Sequence, residues 1–412
     1  MRWATGFIVA AFLMTCGATS LAGQQRDMGE LKKEAEGGKV EAQFELGFAY
    51  FFGDGVPESS PEAAKWFVKA ADQGHPLAQA YLGLQYFFGT GLPKDEARGR
   101  SLAGAAKDAI FRIAEEGNVA AQVVLGRLFE GGVGVPRDEA KAAEWFRKAA
   151  ERGLAVAQNG FGQMYEEGRG VPQDDTKAAE WFRKAAEQGL AAAQDNLGFI
   201  YEEGRGVPQD DTKAVEWYRK AAEQEYAAAQ NSLGWMYEEG RGVPQDDTKA
   251  VEWFRKAAEQ GVAVAQDNLG WMYQEGRGVP QDEAKAVEWF RRAAEQGYAV
   301  AQNSLGWMYE EGRGVPQDDT KAVEWFRKAA EQGHATAQDW LGFMYAEGRG
   351  VNKNYKESYR WYYTAGQLGH ANAAEEAKKL LSGDRSGSDV SPEDAARIRR
   401  DMDKIIQERG WK

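Results

Sequence analysis

The 412-residue chain carries 64 acidic against 51 basic side chains, a net charge of −13. That balance argues against a nucleic-acid or anionic-membrane partner, whose phosphates it would repel. With a single cysteine there is no disulfide framework to read, and no apolar run after the leader approaches the length of a membrane span.

In chain order, residues 1–22 read as a signal peptide. Arg2 is the only charge, Phe7–Met14 is an apolar core too short to anchor in a bilayer, and Ser20-Leu21-Ala22 supplies a cleavage site. Export to the periplasm or out of the cell is expected, with no membrane insertion after signal removal. Cleavage after Ala22 takes Arg2 and Cys16 with it, leaving a charge of −14 and no cysteine. Lipid attachment at Cys16 is the alternative, although Met14-Thr15 is a poor context for lipoprotein processing.

Residues 23–41 contain Leu31–Gly38, which reads like the end of a helix and is expected to form an N-terminal cap. An AQ dipeptide or its equivalent then opens nine units, at Ala42, Ala78, Ala121, Ala157, Ala193, Ala229, Ala265, Ala301 and Ala337. From Ala121 on, the spacing is 36 residues. A fixed period of this size is the mark of a solenoid, in which each unit buries its faces against its neighbours. Within the unit at Ala301, the apolar residues Ala301, Leu305, Met308 and Tyr309 share one face of a first helix. Gly312 and Gly314 stop it and Pro316 marks the connection. Asp318 or Asp319 caps a second helix, whose apolar stripe is Ala322, Trp325, Phe326, Ala329 and Ala330, and Gly333 ends that helix.

The string AQxxLGxxYxxGxGVxxDxxKAxxWFxKAAEQG, read at residues 301–333 and recurring in register over about 38–373, resembles the Sel-one-like repeat, a subclass of the tetratricopeptide-like hairpins. The resemblance implies an all-α fold, a right-handed α/α solenoid of nine helical hairpins with capping helices, and a scaffold for protein or peptide contacts without catalysis.

The second unit is seven residues longer than the rest, almost two helical turns, so a local irregularity or protruding end is expected around residues 95–113, where Ala109 takes the tryptophan position. The solenoid is expected over residues 42–370. A C-terminal capping helix (371–381), a linker (382–389) and an amphipathic helix (390–412) follow. That last helix must bury its stripe against the array, another chain or a partner.

Chemistry is sparse. His75, His334 and His370 occupy one repeat position and lie far apart along a solenoid, so no metal site and no cofactor are expected. No HExxH, phosphate-loop or SxxK string occurs. The Gly-Arg-Gly turns read as turn glycines with a solvated or ion-paired arginine, and acid pairs such as Glu202-Glu203 as solvated faces. Two aromatic ladders remain. Trp145, Trp181, Trp217, Trp253, Trp289, Trp325 and Trp361, on the second helices, read as packing. On the first helices Phe199, Trp235, Trp271, Trp307 and Phe343 follow Asp195, Asn231, Asp267, Asn303 and Asp339 by four residues. The resemblance places first helices on the concave surface, where rings beside amides and carboxylates suit an extended peptide. The candidate partner-binding residues are Asn231, Trp235, Asp267, Trp271, Asn303 and Trp307, flanked by Phe199 and Phe343; the alternative is packing between units.

Other functions the resemblance leaves open are a periplasmic regulator of an envelope signalling receptor and a secreted β-lactam-binding or β-lactam-hydrolysing enzyme like the cysteine-rich relatives. The chain lacks the disulfide-forming cysteines of that subgroup.

Overall fold

A computed structural model of the protein describes residues 27–52, 56, 59–382 and 384–411; the leader expected at residues 1–22 lies outside them. Among the described residues there are twenty-one helices and no strand. A leading helix, α1 (Met28–Glu36), is followed by nine successive pairs. The first four are α2 (Val40–Phe52) and α3 (Ser60–Asp72), α4 (Pro76–Phe88) and α5 (Glu96–Glu115), α6 (Val119–Gly131) and α7 (Glu139–Glu151), and α8 (Ala155–Glu167) and α9 (Asp175–Glu187). Next come α10 (Ala191–Glu203) and α11 (Asp211–Glu223), then α12 (Ala227–Glu239) and α13 (Asp247–Glu259). The last three are α14 (Ala263–Glu275) and α15 (Glu283–Glu295), α16 (Ala299–Glu311) and α17 (Asp319–Ala330), and α18 (Ala335–Glu347) and α19 (Tyr355–Gln367). Two helices, α20 (Ala371–Ser382) and α21 (Pro392–Arg409), close the chain. By its contacts the chain falls into two compact units: residues up to Leu233 with Arg241–Pro244, and Gly234–Gly240 with the residues from Gln245 on.

Local chemistry sets the helix ends. Asp318 Oδ1 accepts from the Lys321 backbone N–H at 3.0 Å, and Asp246 and Asp282 do the same for α13 and α15. The first aspartate of the pair is therefore the cap. First helices end on glycines in the left-handed conformation, such as Gly312 at φ +70°.

A glycine and an aromatic ring lock every hairpin but the second, where Gly83 meets the backbone of α5 instead. A Cβ on Gly306 would lie 2.7 Å from Phe326 Cδ1, and one on Gly270 2.8 Å from Phe290 Cδ1. Phe182, Phe254, Phe290 and Phe326 have essentially no exposed surface. The glycine at this position, after Leu305 in α16 and after Leu269 in α14, thus lets the following helix approach ring-on-backbone.

A glutamine ladder joins repeats inside each unit. Gln266 Nε2 donates to the Ala258 carbonyl at 3.0 Å, while its Oε1 accepts from Gln296 Nε2 at 2.8 Å. Gln302 and Gln332 repeat the pattern, as do Gln158 and Gln188 in the first unit. Where the residue thirty positions on is no glutamine, the ladder breaks: the Oε1 atoms of Gln122 (Arg152) and Gln338 (Leu368) are buried with no partner.

In the first unit, α1 covers the open end through Leu31 and Ala35, which pack with Ala42, Leu46 and Trp66. The seven added residues lengthen one helix: α5 has 20 residues where α3 and α7 have 13. It crosses α4 closely, a Cβ on Gly83 falling 2.8 Å from the Gly99 carbonyl oxygen.

In the second unit the C-terminal helix docks on its own array. Met402 and Ala395 are buried, Arg399 Nε donates to Tyr359 Oη at 2.6 Å, Tyr363 Oη to Asp403 at 2.8 Å, and Lys356 pairs with Asp394 at 2.8 Å. The aromatic departures of the last repeat, Tyr355, Tyr359 and Tyr363, are the surface it covers.

Candidate functional site

The first-helix ladder is partly open to solvent. Among the described residues the exposed large hydrophobics are Val264 (36%), Trp271 (39%) and Val300 (39%), and all three stand on α14 and α16. Val264, Asn268 and Trp271 share one stripe of α14 at helical spacing, and Val300, Ser304 and Trp307 the corresponding stripe of α16. Trp307 and Phe343 are half-buried against the cluster around Phe326, Leu341 and Trp361, so part of each ring does structural work. Of the candidate residues, the second unit holds Trp235, Asp267, Trp271, Asn303, Trp307 and Phe343; Phe199 and Asn231 belong to the first.

Beside these rings lies a line of buried polar atoms. Asp267 Oδ1 and Asn303 Oδ1, one repeat apart, are shielded from solvent and have no hydrogen-bond partner among the described residues. Burial pushes the Asp267 carboxyl up to about 7, and it in turn raises Tyr298, the residue before α16, whose hydroxyl burial already disfavours ionising. One repeat further, His370 Nδ1 stands 3.8 Å from Asp339 Oδ1, with burial raising the Asp339 carboxyl against the pull of the imidazole. Buried acceptors without donors are costly, and they cluster where something else supplies the donor.

The arginine of each Gly-Arg-Gly turn ties this face together. Arg277 lies 4.9 Å from the Trp271 ring centre, Arg313 4.8 Å from Trp307 and Arg349 5.9 Å from Phe343. Each also reaches back to the preceding repeat: Arg277 bonds Glu238 at 2.9 Å and Asp247 at 2.8 Å, and Arg349 bonds Glu310 and Asp319. Arg313 bonds Glu283 at 2.7 Å, where position 274 supplies glutamine instead of glutamate. The second glycine of the turn, Gly314 at φ +66°, touches the Glu283 carbonyl and leaves no room for a Cβ.

These contacts correct the expectation that the acid pairs are solvated faces. The first acid of the pair is a buried clamp partner: Glu202 and Glu238 side chains are 12% exposed. Burial raises the Glu238 and Glu310 carboxyls, opposed by Arg277 and Arg349. Only the second acid, such as Glu203 or Glu239, faces water. A fixed spacing of six residues between ring and arginine was visible in the sequence; the clamp spacings of 30 and 39 carry no local signal.

The histidines take inter-repeat roles. Nδ1 of His75 and of His334 accepts the backbone N–H of Ala78 and Ala337 at 3.2 Å, capping α4 and α18. Burial lowers both imidazoles, which keeps the accepting nitrogen unprotonated. Among the described residues no group of three or more His, Cys, Asp or Glu side chains converges on a metal position, and no helix is long and apolar enough to cross a membrane.

The second-helix tryptophans are placed differently. Those of the interior repeats lean under a cation one turn on, Lys256 over Trp253 at 3.9 Å, Arg292 over Trp289 at 4.4 Å and Lys328 over Trp325 at 3.7 Å, and Trp145 and Trp361 are buried.

A search of curated protein sequences finds no match. Among solved structures, the chain is similar to a Sel1 repeat protein from Oxalobacter formigenes, 38% identical over 77% of this chain and 90% of that one, with a TM-score of 0.58. It is also similar to a protective antigen of uropathogenic Escherichia coli strains displaying an SLR fold, 30% identical over 93% and 95% of the two chains, with a TM-score of 0.47. The Sel1 repeat matches nine times, at residues 40–75, 76–109, 119–154, 155–190, 191–226, 227–262, 263–298, 299–334 and 335–370. Proteins built from this repeat generally act as scaffolds for protein–protein interaction. With nine repeats in register, all-helical hairpins and a Sel1 repeat relative 38% identical over 90% of its length, the chain belongs to the Sel1 repeat family.

Proposed function

We propose that the protein is an exported, non-catalytic scaffold that binds a protein partner through an extended peptide laid across its first helices. The observation that carries this reading is the pairing, on adjacent helices, of exposed apolar surface at Val264, Trp271 and Val300 with the buried acceptors Asp267 Oδ1 and Asn303 Oδ1. An extended peptide offers the missing donors from its backbone N–H groups, while its side chains cover the rings. Trp235 and Phe343 extend the same repeat positions to either side within the second unit, and Phe199 and Asn231 occupy them in the first. The acidic balance of the chain favours a partner without dense phosphate.

The test is capture from an envelope extract on residues 23–412, run beside a Trp235, Trp271, Trp307→Ala variant of equal helicity. A defined protein held by the parent and lost by the folded variant is the expected result. Its retention by both moves the site off this face, and its recovery from the cytosolic fraction alone contradicts export.

A further inference from the structure

We propose that the cleft beneath the C-terminal helix binds a small organic oxyanion, a carboxylate or phosphate carried on a flat apolar body. The cleft, of about 290 Å³, opens between α21 and the second helices α17 and α19, all within the second unit.

Among the described residues three guanidinium groups line it, Arg327, Arg360 and Arg409, against two carboxylates, Glu331 and Glu357, a local excess of positive charge in a chain that is otherwise strongly acidic. Their present partners are weak ones for a cation. Arg327 Nη2 donates to Tyr345 Oη at 2.8 Å, and Arg409 Nη1 to the Glu331 backbone carbonyl at 2.6 Å. Arg360 is 3.3 Å from Met402 Sδ and 3.4 Å from the solvent-facing Glu357 carboxylate. On the first-helix side Arg277 bonds two carboxylates, at 2.9 and 2.8 Å, whereas among the described residues Arg360 pairs with one and the ion pairs include neither Arg327 nor Arg409. An oxyanion accepting from two of these forks supplies the missing negative charge, in the bidentate geometry guanidinium favours.

The walls define the rest of the ligand. Arg360 lies 5.1 Å from the Trp361 ring centre and Arg409 5.2 Å from that of Trp411, so the cations stand against indole faces. Met402 and Ile405 line the remaining wall. Rings beside an apolar wall accept a flat hydrocarbon body by stacking, and the cleft volume suits a ligand of one ring. Arg409, Met402, Ile405 and Trp411 all come from the tail, so the cleft exists only while α21 is docked, and a ligand there holds the tail down. The site uses none of the candidate residues of the first-helix face, and of its lining only Tyr345 comes from a first helix.

The probes are benzoate and phenyl phosphate, with inorganic phosphate and neutral benzamide beside them, titrated calorimetrically into residues 23–412. Benzoate or phenyl phosphate should bind once per chain with Kd of about 1 mM or tighter. Which of the two binds better reports whether the head is a carboxylate or a phosphate. Arg360→Gln and Arg409→Gln should each weaken it about tenfold, the loss of one charge-assisted pair. Arg291→Gln removes the counterpart of Arg327 one repeat earlier, where no tail lies above it, and should leave Kd unchanged. Saturating probe should also slow amide exchange across residues 400–409 in the parent, a readout that does not depend on how the variants fold. Benzamide binding as tightly as benzoate, inorganic phosphate matching phenyl phosphate, unchanged Kd in the folded arginine variants, or no binding at about 10 mM would each overturn the proposal.

Discussion

The two tryptophan ladders share a period and a residue type but not an environment. On the second helices Trp253, Trp289 and Trp325 are half-buried and shielded by a cation one turn away. On the first helices Trp271 is 39% exposed, with an arginine from the next turn alongside it and a buried, unmatched carboxylate one turn back. Shielded rings stabilise the hairpin; an open ring beside an unmet acceptor is suited to something outside the chain. Periodicity alone cannot tell the two apart, because copying a unit copies both kinds of position.

The comparison has a reference point in the core that both ladders surround. Phe326→Ala removes a fully buried ring seated on Gly306, and should cost about 3–5 kcal/mol in urea unfolding monitored by helicity. A loss no larger than that of a surface tryptophan would show that the ring-on-glycine lock is not the core.

A second measurement separates the unmet carboxylate from the rings beside it. Burial holds the folded Asp267 carboxyl near 7, against 3.8 in the open chain. The folded state therefore binds the extra proton, and the stability this residue contributes is present at low pH and lost as pH rises from about 4 through 7. Asp267→Asn, which does not titrate, should match the parent near pH 4 and exceed it by about 2–4 kcal/mol at pH 8. A constant difference across that range would mean the carboxylate is solvated in the folded protein.

Trp325→Ala and Trp271→Ala then test the ladders directly. The first should cost about 1–3 kcal/mol through lost packing, the second under about 1 kcal/mol, while only the second reduces partner capture. Equal stability losses would merge the two ladders into one structural class.

The smallest effects probe places where a copied unit departs from its neighbours. Glu225 holds φ +63° where eight other repeats carry glycine, so Glu225→Gly should stabilise by about 1 kcal/mol. Leu368→Gln, which restores the donor missing opposite Gln338 Oε1, should add about 1 kcal/mol in the same assay. Neither should alter capture.

Helices, turns and repeat boundaries were legible because their signals are local: Gly312 and Pro316 stop one helix and an aspartate starts the next within a few residues. What escaped the sequence lies between residues distant in the chain, whether within one repeat or across two. Nothing near Asp318-Asp319 says that the first caps its own helix while the second pairs with Arg349, thirty residues on. Nor does Gln266 announce Gln296 as its partner, or Leu-Gly a ring packed on its backbone. In a copied array every residue recurs at the same interval, so no spacing singles out its partner. For α21 the amphipathic stripe specifies that it is covered and not by what, so docking on its own array is favoured by the sequence over another chain or a partner without being fixed by it.

The glutamine ladder and the arginine clamp have a consequence for how such a protein changes over generations. Each joint draws its donors from one unit and its acceptors from the unit before, so an interior unit presents at its far edge what it takes up at its near edge. Unequal recombination between copies can therefore lengthen or shorten the interior by a whole unit without creating a new kind of junction. The ends are barred from that exchange: α1 at one end and α21 on the tyrosines of the last repeat at the other each fit a surface that occurs once. Change in reach is thus open to the lineage at little cost, while the termini stay fixed as the selvedges of a cloth woven to variable length.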